Sequence, residues 1–95
     1  MKKYYDEELK LSKMLFKSVV EENKRQLSIW GVQSHTLPEW QMFLTEEVGE
    51  LARAISEFMY RGEKSSNIYD EAIQVATLAL KMAEMIEIQE GDEGE

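Results

Sequence analysis

The stretch Thr36–Gly62, TLPEWQMFLTEEVGELARAISEFMYRG, decides the fold. Thr36 followed three residues later by Glu39 has the pattern of a capping box, in which the two residues satisfy each other's backbone N–H groups at a helix start. Pro38 then falls in the first turn, where a missing N–H costs nothing. The spacing predicts a helix from about Leu37 to Tyr60, closed by Arg61-Gly62, a cation followed by the residue that helix ends prefer. At about 100° per residue, Leu44, Val48, Leu51, Ile55 and Phe58 form one stripe within about 40° of its centre, the mark of a one-sided helix.

Working outward, Val32–Leu37 is a short polar connection, and the stretch from about Tyr4 to Ile29 contains no breaker. It carries Leu9, Met14, Leu15, Phe16, Val19 and Val20 among charged residues and reads as a first helix ending near Trp30-Gly31. Past Gly62, Glu63–Asn67 reads as a loop, and a third helix is predicted from about Ile68 to Ile88. Apolar side chains cover roughly 240° of its circumference, leaving mainly Asp70, Gln74, Thr77, Lys81 and Glu84 outside. Two neighbouring helices of so short a chain would struggle to cover that arc. The expected fold is therefore all-α, a bundle of three main helices completing its core by oligomerisation as a homodimer or homotetramer, with Val75, Leu78 and Met82 partly at subunit contacts. Residues 1–89 are expected to form one domain and residues 90–95 an acidic disordered tail.

The chain has 95 residues, no cysteine and a formal charge of −8. Without disulfides or thiolate metal sites, so small a core gains stability mainly from dense packing or assembly. The acidic balance argues against nucleic-acid backbones and anionic membranes, so neither is an expected partner, and a phosphate-bearing ligand would need metal ions as intermediaries. No apolar run approaches bilayer length, and Met1–Asp6 lacks the apolar core of a secretory signal, so the expected compartment is the cytoplasm. His35 is the sole histidine. A zinc site built on His and Cys is excluded, and no motif for a Ser-His hydrolase or a Gly-rich phosphate loop is present.

The remaining chemistry lies in carboxylates. On the second helix Glu47 and Glu50 share one edge, about 60° and 120° from the apolar centre, whereas Glu46 points nearly away from it. Two carboxylates held close at the border of a core repel unless a proton or a hard cation intervenes, and Mg²⁺ or Mn²⁺ meets that need. Glu71 and Gln74 repeat the spacing on the third helix, and an antiparallel hairpin could bring the pairs together. Single pairs of this kind are ordinarily solvated; two pairs bordering apolar faces turn the reading towards a site. Gly49 inside the helix suggests a close backbone or ligand.

Arg25-Gln26, Trp30-Gly31, Gln33, His35, Glu39-Trp40, Leu44, Glu46–Ala52, Tyr69, Glu71 and Ile73–Ala76 together resemble the MazG-like branch of the all-α NTP pyrophosphatases, over a span from about Arg25 to Glu84. That superfamily carries Glu-x-x-Glu on one helix and Glu-x-x-Asp on the next. Glu47, Glu50 and Glu71 match, and Gln74 stands at the Asp position, a variant that the branch with the Trp-Gly-x-Gln-x-His stretch commonly shows. The resemblance implies a pyrophosphohydrolase cutting a (d)NTP to (d)NMP and pyrophosphate, with a house-cleaning role against non-canonical nucleotides as one form of it. It implies Glu47, Glu50 and Glu71 as catalytic residues and, with Gln74, as ligands of Mg²⁺, Mn²⁺ being the alternative. Trp30, Gln33 and His35 are expected to contact base or sugar, since flat rings and an amide suit stacking and edge hydrogen bonds; Arg25 is a candidate for the triphosphate. The alternative reading is a catalytically silent helical module that binds nucleotides or a protein through a degenerate metal site, because Gln supplies a carbonyl oxygen but no charge.

Overall fold

The computed structural model describes the backbone of residues 2–94 and the side chains of residues 12–88. The expected capping box forms: Thr36 N–H donates to Glu39 Oε1 at 2.9 Å, and Glu39 N–H donates to Thr36 Oγ1 at 3.4 Å. It opens α2 (Leu37–Arg61), with Pro38 in the first turn. At the other end Gly62 adopts φ 70°, and its N–H reaches the Glu57 carbonyl, which also accepts from Glu63 N–H at 3.2 Å. A side chain at that φ would clash with the backbone, which is why glycine closes the helix. Gly31 does the same for α1 (Lys2–Trp30), with φ 70° and an N–H bond to Leu27 O of 2.8 Å. The third helix, α3 (Ser65–Gly94), starts three residues before the predicted Ile68, so that Ser65, Ser66 and Asn67 form its first turn instead of a loop. Leu9 and the disorder expected of residues 90–95 lie outside the described side chains. The described residues contain no strand, and no helix is long and apolar enough to cross a membrane.

Both α1 and α2 pack along α3 and, among the described residues, make no close backbone approach to each other. On α2 the covered seam runs through Trp40, Leu44, Glu47, Leu51 and Ala54, spaced alternately four and three apart, with Phe43 and Glu57 also half-buried. This seam is rotated from the predicted stripe. Val48, Ile55 and Phe58 of that stripe stay exposed, while Glu47 occupies a packing position in the seam.

On α3 the departure is larger. The strip taken as its outer face is the one that α1 covers: Thr77 is 1% exposed, the most buried of the described residues, and Gln74 and Lys81 are half-buried. Thr77 tolerates burial because its hydroxyl donates to its own helix, to Ile73 O at 2.7 Å. Polar bonds fasten α1 to α3, with Ser18 Oγ and Tyr69 OH 2.6 Å apart and Lys81 Nζ donating to Gln26 Oε1 at 2.6 Å. Apolar Leu80 on α3 and Met14 and Phe16 on α1 are left exposed. The apolar side chains buried among the described residues are Trp40, Ala54 and Leu78, so Leu78, expected partly at a subunit contact, is already covered within one chain. The radius of gyration is 16.0 Å, against about 12 Å for a compact domain of this length. One chain thus covers only part of its apolar surface.

Candidate functional site

Glu47 enters the α2–α3 seam because the alternation of four and three that seats Leu44, Leu51 and Ala54 also seats position 47. Burial pushes its carboxyl above the ordinary 4.5, and repulsion from Glu71 and then Glu50 adds to the rise. Glu71, on the first turns of α3, is raised in the same direction, by burial first and then by Glu50. Each has one carboxylate oxygen, Oε2, buried with no hydrogen-bond partner. Unpartnered buried oxygens are costly and uncommon in folded chains, and two of them repelling each other across a helix pair make a place that a cation would relieve. Glu46 is exposed, as expected, and so is Glu50.

Gln74, the fourth expected ligand, stands one turn along α3 from Glu71 and lines the groove between α1 and α3 together with Glu22, Arg25 and Tyr69. Among the described residues no three of His, Asp and Glu come within reach of a single ion. Hard carboxylate oxygens and orphaned lone pairs suit Mg²⁺ by their chemistry; what the arrangement provides is a pair, Glu47 and Glu71, with Glu50 in its field. Gly49, which lies between Glu47 and Glu50 in the sequence, has nothing within 4 Å of where a Cβ would stand. The close neighbour expected there is therefore absent within this chain.

Three of the four expected substrate contacts do converge. Trp30, Gln33 and His35 line one cavity of about 490 Å³, with Trp40 and, from α3, Lys81 and Met85. Such a volume suits a small ligand. His35 is held edge-on against Trp40 and Phe43, both with ring centroids 4.9 Å away, and its Nε2 lies 3.4 Å from Gln33 Oε1. Trp30 is 65% exposed at the rim, whereas Trp40 is 6% exposed and its indole Nε1 has no partner. Arg25 stands apart from this cavity, clasping Glu22 through Nε at 2.9 Å and Nη2 at 2.7 Å.

Glu22 and Lys81 carry no signal in the helical pattern, yet they link the two regions. Gln26 donates from Nε2 to Glu22 Oε2 at 2.7 Å and accepts from Lys81. The Arg25 bond holds the Glu22 carboxyl below its ordinary value, while its charge is felt at Glu47 and Glu71. Burial lowers the Lys81 ammonium, opposed by Glu22 and Glu84. Only the charged polar strip on α3 could have pointed to Lys81, and that strip reads as solvated until α1 is placed on it. Comparison with protein-family models, curated proteins and solved structures finds no match for this chain.

Proposed function

We propose that this chain is a Mg²⁺-dependent nucleoside triphosphate pyrophosphohydrolase of the MazG-like kind, releasing pyrophosphate and leaving a nucleoside monophosphate. The observation that carries it is the pair of buried, unpartnered carboxylate oxygens of Glu47 and Glu71, the first raised in proton affinity by the charge of the second. The resemblance of the stretch from Arg25 to Glu84 supports the same reading. Glu47 and Glu71 would hold the ion, with Glu50 in its field, Mn²⁺ being the alternative. When bound, it neutralises triphosphate charge and polarises the phosphoryl oxygens.

The chain's own residues do the rest. Trp30, Gln33 and His35 take the nucleoside end and orient the α-phosphorus toward the acidic edge. Water attacks that phosphorus, the bond to the oxygen bridging to the β-phosphate breaks, and pyrophosphate leaves. The proton from water goes to a carboxylate. Arg53, which bonds Glu57 at 2.9 Å and lies in the field of Glu50, is the cation of this edge. A homodimer or homotetramer would cover Val48, Ile55, Met59 and Leu80.

The lack, among the described residues, of three acidic groups around one point favours a second reading, a helical module that binds nucleotides without cutting them. A panel of canonical, deoxy and damaged NTPs with and without Mg²⁺, scored for pyrophosphate, separates the two. The hydrolase releases pyrophosphate from at least one of them only when the metal is present.

A further inference from the structure

The outward side of α2 carries a second seam. Gln41, Thr45, Val48, Ala52, Ile55 and Met59 are spaced alternately four and three apart, and every one of them is exposed, Met59 at 62%. This is the spacing with which one helix seats another, and the seam against α3 repeats it one residue earlier. At about 100° per residue, the seven charged residues of α2, from Glu39 to Arg61, all fall within an arc of about 120° centred opposite the stripe. The one hydroxyl on the stripe is already satisfied, since Thr45 Oγ1 donates to Gln41 O of its own helix at 2.9 Å and needs no partner from outside.

The pattern points to a second copy of this chain as the occupant. Copies of a chain with formal charge −8 repel one another unless they meet where neither brings an acid, and the stripe is such a place. A contact about a two-fold axis must also complement itself. Run antiparallel, the stripe does so: Thr45 is set against Ile55 and Ala52 against Val48, a smaller side chain facing a larger one in each layer, with Gln41 and Met59 closing the ends. Run parallel, it would set Ala52 on Ala52 and Met59 on Met59, a gap in one layer and crowding in another. The contacts expected on α3 offer less, because Leu78 is buried and Val75 and Met82 are half-buried within one chain. We propose that two copies pair through this charge-free stripe, their α2 helices antiparallel, with Thr45 against the partner's Ile55 and Val48 against the partner's Ala52. The pairing does not depend on the hydrolase reading.

The chain has no cysteine, so single cysteines on the full protein report the contact. Thr45→Cys and Ile55→Cys, allowed to exchange subunits and then oxidised, should join to each other, and neither should join to itself. In the antiparallel pair, like positions stand ten residues apart along the axis, about 15 Å, beyond the roughly 7 Å that a disulfide spans between Cα atoms. Self-linking of either variant in preference to the mixed pair means parallel helices and overturns the proposal. Light scattering at micromolar concentration is the second readout. Wild type should have at least the mass of a dimer, Val48→Glu should fall to half the wild-type mass or less, and Leu80→Glu, at another exposed apolar position, should remain a dimer or larger. Circular dichroism shows whether the variants keep their helices, and if Val48→Glu loses them the cysteine pairing decides. A folded Val48→Glu that keeps the wild-type mass, or a wild type of 11.1 kDa, overturns the proposal. Neither readout involves a nucleotide, so a wild type that pairs in this way and releases no pyrophosphate sinks the hydrolase reading alone.

Discussion

Replacing Glu47 with glutamine is expected to stabilise the metal-free protein and to abolish its stabilisation by Mg²⁺. Leaving a buried polar oxygen without a partner costs about 1–3 kcal/mol, and because Glu47 is only half-buried solvent screening reduces the charge penalty to about 0.5–1 kcal/mol. For a domain of this size that corresponds to about 2–8 °C in Tm. A millimolar site with tenfold excess Mg²⁺ should return about 1.4 kcal/mol to wild type. The order of the two proteins therefore reverses, glutamine being the more stable in chelator and wild type in Mg²⁺. Calorimetric melts at one fixed protein concentration, in EDTA and in 10 mM MgCl₂ (roughly tenfold above such a Kd), read this directly. Should Glu47→Gln melt lower than wild type in EDTA, or gain as much from Mg²⁺, the carboxylate is not an uncompensated charge awaiting a cation.

The pH dependence has a definite sign: Glu47 and Glu71 are raised above 4.5 in the fold, so their contribution is full below 4.5 and is lost as pH rises through the raised values. Melts in EDTA should show that loss in wild type and less of it in Glu47→Gln, whereas the Mg²⁺ gain in Tm should shrink as pH falls and protons displace the ion. Glu46→Gln, at an exposed position, should leave activity within about twofold while Glu47→Gln removes most of it; comparable losses in steady-state rates would place the working face elsewhere. Gly49→Ala should raise helix stability by about 0.5–1 kcal/mol in thermal melts if position 49 stays open, and a fall accompanied by dissociation in light scattering would put a second subunit there. Light scattering of wild type at micromolar concentration should give a dimer or tetramer, and a mass near 11.1 kDa would mean that the exposed apolar faces stay uncovered.

Helix boundaries set by local chemistry were legible: Thr36 with Glu39 and the two capping glycines are short-range devices, and each forms as its spacing predicts. The start of α3 was not, because Ser65, Ser66 and Asn67 are weak helix formers that suit a loop as well as a first turn. The wheel of α3 misled for a different reason. Counting apolar side chains assigns Thr77 to solvent, but its hydroxyl is satisfied within the helix, and only its small, partly apolar body meets the neighbour. Glu47 and Glu71 could be picked out as a pair from their spacing and the resemblance. Glu22 and Lys81 could not, since the bond that ties α1 to α3 joins Gln26 to a residue 55 positions away, and no local pattern encodes that distance.

The central claim is that the carboxylates of Glu47 and Glu71 hold a divalent cation that supports pyrophosphate release. Incubating wild type, Glu47→Gln and Glu71→Gln with the NTP panel at millimolar Mg²⁺, and measuring pyrophosphate, tests it most directly. The account predicts metal-dependent release by wild type from at least one NTP, and loss of most of that activity in both variants. Release that persists in EDTA, or that either variant retains at the wild-type rate, would contradict it.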